Sequence, residues 1–86
     1  MHEAIKEKVS VISLYDRKRS LVMPVKMKWQ GKNYTITKLG MRHQVRDGRT
    51  LHHIFSVTDG VTFFRLDLDS ESLQWTLMEI SDGLAN

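Results

Sequence analysis

The chain has no cysteine among its 86 residues and a single proline. Without cysteine there is no disulfide staple, no thiol nucleophile and no Cys-ligated zinc module. No apolar run approaches the roughly 18 residues of a membrane span, and the opening stretch MHEAIKEKV lacks a signal-peptide apolar region. A cytoplasmic setting without a membrane partner is therefore expected. Also missing are a Gly-rich phosphate loop, a nucleophile elbow and any serine beside a recognisable base. Those gaps argue against an enzyme, and nothing points to a cofactor or a small-molecule substrate. At this length one domain, 1–86, is expected, with a thin core that buries about 60–65% of the unfolded surface.

What is present is β patterning nearly throughout. Val9, Val11 and Ser13–Tyr15 predict a first strand over about 8–15, ended by the turn-forming Asp16-Arg17-Lys18-Arg19-Ser20. A second strand, about 21–29, sets Val25, Met27 and Trp29 against Lys26 and Lys28, with Pro24 marking a sheet edge or bend. After the Gln30–Asn33 turn, Tyr34 and Ile36 have one parity and Leu39, Met41 and Val45 the other. That switch predicts a bulge or bend near Lys38–Gly40. Asp47-Gly48 and Asp59-Gly60 are hairpin signals on either side of Leu51, His53, Phe55 and Val57, which share one face. Phe64, Leu66 and Leu68 oppose Val61, Phe63, Arg65 and Asp67 in the fifth strand. Leu73, Trp75 and Leu77 oppose Met78 and Ile80 in the sixth. The expected fold is all-β: a single small antiparallel meander of five to six strands, curled into a barrel or half-barrel, with loose ends at 1–7 and 82–86.

Charge is unevenly spread. Residues 1–53 hold twelve Lys/Arg against four Asp/Glu, a net +8, whereas 54–86 are net −5. This asymmetry points to a polyanion partner, or to opposite-sign strands and faces that pair with each other or with a second copy. The candidate binding set is Lys26, Lys28, Lys32, Lys38, Arg42, Arg46 and Arg49, a basic stripe able to follow a phosphate backbone. Phe63 joins it as an exposed ring on which a base could stack. The bland alternative for the stripe is a solvated face kept soluble by lysine. Trp29 and Tyr34, flanking Gly31, are expected to be core-forming aromatics of a hairpin. His43, His52 and His53 are close in sequence, but consecutive strand residues point to opposite faces, so no metal site is expected.

The stretch Val25–Ile36 (VKMKWQGKNYTI), with Phe64-x-Leu66 and Trp75-x-Leu77-x-x-Ile80-x-Asp82, resembles a group of small bacterial β-domains. Those domains share a W-x-G-x-x-Y hairpin and a late W-x-L strand. The resemblance spans about residues 24–82. It implies a small bacterial all-β domain and transfers no functional residue. The leading expectation is a non-enzymatic binding module whose basic sheet face contacts nucleic acid backbone or another polyanion. The alternative is a protein-interaction module or homodimer that pairs through sheet edges or opposite-sign faces.

Overall fold

The computed structural model describes residues 2–82, and among these there is no helix. Seven strands run in chain order: β1 (His2–Asp16), β2 (Leu21–Trp29), β3 (Lys32–Thr35), β4 (Lys38–Asp47), β5 (Thr50–Thr58), β6 (Phe63–Asp69) and β7 (Trp75–Ser81). They form one antiparallel sheet in the order β3-β2-β1-β7-β6-β5-β4. The sheet is open. β3 and β4 are its two edges, so of the expected barrel or half-barrel the closed barrel is not formed.

Two corrections explain the strand count and the N-terminus. The expected third strand is split in two at Ile36–Thr37, where Ile36 N–H donates to Val25 C=O at 3.0 Å and Thr37 N–H to Thr58 C=O at 2.9 Å. These bonds reach to opposite sides, so the chain leaves β2 and joins β5. Residues 2–7, expected as a loose end, form the first half of β1 and pair with β7. A register shift between Ala4 and Glu7, with Lys6 at a φ of 57°, interrupts the alternation there. Of the expected loose end at 82–86, residues 83–86 lie outside the described residues.

β1 joins the two wings of the sheet. Its first half pairs with β7 as far as Val9↔Trp75, and its second half pairs with β2 from Ser10↔Lys28 to Asp16↔Leu21. From Ser10 onward β1 has a ladder on one side only. β2 is likewise laddered on one side only from Leu21 to Pro24, since β3 reaches only to Lys26↔Thr35 and the bond from Ile36 N–H to Val25 C=O. Pro24, which has no N–H to donate, faces Ser13 at the register shift between Ile12 and Ser13, an irregularity of the kind to which proline in a strand is confined.

The sheet curls so that Met27 from β2 packs in one cluster with Phe55 and Val57 of β5, Phe64, Leu66 and Leu68 of β6, and Leu77 of β7. Met27, Leu66 and Leu77 are wholly buried. The parities read from the sequence for β2, β5 and β6 are those observed, because an open sheet with one wet face sorts side chains by alternation. β7 departs from its expected parity. Arg65 faces Glu79 but Leu66 faces Leu77, so Met78 is the extra residue of a bulge and Ile80 swings to the core side opposite Phe64. Trp29 and Tyr34 do pack on the core. Their rings are 6.3 Å apart, Tyr34 meets Phe64 edge-on at 5.2 Å, and Trp29 Nε1–H donates to Glu7 Oε1 at 3.2 Å.

The turns follow their sequence signals. Asp16 Oδ1 accepts from the N–H groups of Lys18 and Arg19, and Asp59 Oδ1 from those of Val61 and Thr62. Asp47 faces Thr50, leaving the two-residue loop Gly48-Arg49 with Gly48 at a φ of 62°. A primed hairpin turn requires that positive angle, which glycine adopts without strain.

Candidate binding site

The feature that shapes the site is a bulge in β4. Leu39 faces Val57 and Met41 faces Ser56, so Gly40 is the extra residue. A Cβ at Gly40 would lie 3.3 Å from the backbone oxygen of Ser56, closer than most such contacts allow. Beyond Gly40 the alternation is inverted. Arg42 lies opposite Phe55, Gln44 opposite His53 and Arg46 opposite Leu51, all on the core-facing side of β5. Met41, His43 and Val45 take the outer face, and Met41 and Val45 are exposed there at 61% and 45%. The sequence pattern places Met41 and Val45 on the same face as Leu39. The bulge overturns that grouping.

At the open end of the curl Arg42 and Gln44, with Phe55 and His53, meet the start of β2 and the β6–β7 turn around a cavity of about 390 Å³, and Arg46 lies outside its lining. Phe55 and Leu68 form its floor and Leu21, Val22 and Leu73 its apolar walls. Arg42, Gln44, His53, Ser20 and Ser70 supply the polar lining. The turn that carries Ser70 is tied down. Ser70 N–H donates to Leu51 C=O at 3.0 Å, and the N–H groups of Ser72 and Glu71 donate to Asp69, holding its carboxyl below the usual range. Among the described residues Arg42 and Arg46 make no ion pair, and the side chains of Gln44 and His53 make no hydrogen bond.

The other sequence candidates lie elsewhere. Lys26 and Lys28 share the outer face of β2 with Ser10 and Ile12 of β1 and with Asn33 and Thr35 of β3. Lys32 places its Nζ 5.5 Å from the centre of the Tyr34 ring. Lys38 and Phe63 flank Thr58 in one cross-strand row at the far end of the sheet, about 17 Å along β6 from the Leu68 floor. Phe63 is 47% exposed. Arg49 sits in the β4–β5 turn, near Arg46. The basic residues are thus divided between the outer face of β2, the end of the sheet at Lys38 and the inward side of β4, rather than gathered in one stripe.

No protein-family model, curated protein or solved structure matches this chain.

Gln44, His53, Ser20 and Ser70 were not among the sequence candidates. His53 shares parity with Phe55 and so was readable as inward. Gln44 could be placed only by counting register back from the Asp47-Gly48 turn. His52, on the opposite face from His53, pairs with Asp67 (Nδ1 to Oδ1, 2.9 Å), both side chains being mostly shielded. This hydrogen bond raises the imidazole pKa above its ordinary 6.5 against the opposing effect of burial. Protonated His52 is therefore favoured in the fold. Its stabilising contribution is fully present below about pH 6.5 and fades as pH rises through the raised value. In thermal melts from pH 5.5 to 8.5 (roughly spanning that window), the melting temperature should fall with rising pH. Asp67→Asn should flatten the dependence, and an unchanged slope would remove the pair as its source.

Proposed function

We propose that this protein is a non-enzymatic binding module that holds the phosphate backbone of nucleic acid at the open end of its sheet. The observation that carries the reading is the inward side of β4. Arg42 and Arg46 share that side of the strand, opposite Phe55 and Leu51, with no carboxylate engaged to them among the described residues. Arg49 adds charge in the adjoining turn, and Arg17 and Lys18 add more in the β1–β2 turn, just before Ser20 at the cavity wall. Of the acids nearby, Asp47 and Glu71 make no side-chain hydrogen bond or ion pair among the described residues, and the other three are engaged elsewhere. Asp16 and Asp69 accept backbone N–H groups and Asp67 accepts from His52. Each arginine that meets a phosphate releases condensed counterions, so affinity is expected to fall steeply with salt.

The test is fluorescence anisotropy with a labelled short single strand at about 50 and 200 mM salt. Arg42→Glu with Arg46→Glu should weaken binding at least about tenfold at the lower salt, and the slope of log K against log salt should shrink by about 0.7 for each phosphate no longer neutralised. Lys26→Glu with Lys28→Glu, on the other face, should have the smaller effect. Equal affinities for the wild type and the arginine variant, or no binding at low salt, would reject the reading.

A second reading has its own observation. Ser10–Asp16 of β1 is laddered on one side only, and Ile12 and Leu14 are more than half exposed on it. Such an edge suits pairing with a strand of a protein partner or of a second copy. Concentration-dependent mass in sedimentation, with no response to oligonucleotides, would favour this reading over the first.

A further inference from the structure

We infer that the cavity at the open end takes one unstacked base, so that the backbone contacted by the arginines belongs to a single strand and not to a duplex. The inference rests on the backbone-binding reading and adds what the cavity is for. Its volume of about 390 Å³ falls within the range of small-ligand pockets. Its walls are of two kinds. Phe55 and Leu68, both buried, close its bottom with apolar side chains, and Leu21, Val22 and Leu73 line its sides. Directly across the β4–β5 ladder from each other, Gln44 and His53 present a carboxamide and an imidazole to the same space. Neither side chain has a hydrogen-bond partner among the described residues.

A carboxamide offers an acceptor and two donors side by side, and a neutral imidazole adds one of each. That set matches the mixed donor and acceptor edge of a nucleobase, which is free for contact only when the base is unpaired. Arg42 follows on the same side of β4 two residues from Gln44, about 7 Å along the strand. It can therefore meet the phosphate of the nucleotide whose base occupies the cavity. In a duplex the base edges are paired and stacked, so the cavity would stay empty while the arginines alone met the backbone.

Three probes of equal length separate the possibilities: an intact single strand, a single strand with abasic sites throughout, and a duplex. The intact strand should bind at least about tenfold more tightly than the abasic one. Gln44→Ala should bring the intact strand down to the abasic level and leave abasic binding unchanged. Gln44 is exposed, so its truncation should leave the fold intact, and a heteronuclear spectrum of the variant verifies that. Arg42→Glu should weaken both single strands. If intact and abasic strands bind alike, or Gln44→Ala leaves their difference in place, base insertion is wrong although backbone binding stands. If no probe binds at low salt, both fall together.

Discussion

Phe55→Ala is expected to cost about 3–5 kcal/mol of folding stability. The side chain is 1% exposed, sits in the middle of β5, and touches the Trp75 ring at a centroid distance of 5.4 Å. Truncation removes the ring's transfer free energy and leaves a void that β5 and β6, laddered to each other along their length, cannot close by shifting. A chain of 86 residues has about 4–13 kcal/mol to lose. Urea denaturation should show the midpoint moving most of the way to zero denaturant. Phe55 is also the floor of the cavity, so any surviving folded fraction should bind a single strand poorly, because its base would meet a hole. A loss below about 1 kcal/mol would mean that the two wings of the sheet do not close on this ring.

Met27→Ala is expected to cost about 2–5 kcal/mol, and for a different reason. Met27 is wholly buried and is the residue of β2 that enters the central cluster. It is flanked in register by Val11 of β1 and Tyr34 of β3, so it fastens the smaller wing to the larger. Removal of that fastening should be felt locally before it is felt globally. Amide exchange should accelerate in β2 and β3 more than in β5 and β6. Uniform acceleration across the sheet would show instead that the molecule opens only as a unit.

Much of this architecture was legible in the residues. Strands with one apolar face announce themselves, and the alternation of Met27 with Lys26 and Lys28, or of Phe64, Leu66 and Leu68 with Arg65 and Asp67, is the alternation found. The Asp-led turns were legible because their carboxylates bond forward to backbone N–H groups, a local event needing no knowledge of the fold. One miscount was legible: the parity switch after Ile36 predicts a bulge near Lys38–Gly40, and the register shift falls between Leu39 and Met41. Its exact residue, and the miscounts at Met78 and Lys6, could not be read. The bulges at Gly40 and Met78, and the positive angle at Lys6, each displace the pattern by one residue. A period-two reading then assigns the following side chains to the wrong face.

The basic set suffers most from this. A stripe through Lys26, Lys28, Arg42 and Arg46 requires their strands to be neighbours with matching parity. β2 and β4 are not neighbours in the sheet. β4 turns its arginines inward after Gly40, whereas β2 keeps its lysines outward. The cavity was equally out of reach, since its walls come from four separated stretches: Ser20–Val22, Arg42–Gln44, His53–Phe55 and Leu68–Leu73.

The supernumerary residue at Gly40 works like a frameshift written in side chains. Upstream of it the strand is in one frame and downstream in the other, and the chemistry offered to the open end depends on which frame is in force. Loss of that single codon would leave Met41 opposite Ser56 and Arg42 opposite Phe55, on the faces they hold now. Taking Gly40 into the ladder opposite Ser56 would instead exchange the two sets: Met41, His43 and Val45 would turn toward the cavity, and Arg42, Gln44 and Arg46 toward solvent. A mouth suited to a charged strand would then become one suited to an apolar ligand, with the amino acids of β4 unaltered. In an edge strand of this kind, a one-residue shift of register re-sorts every side chain beyond it at once, which no single substitution does.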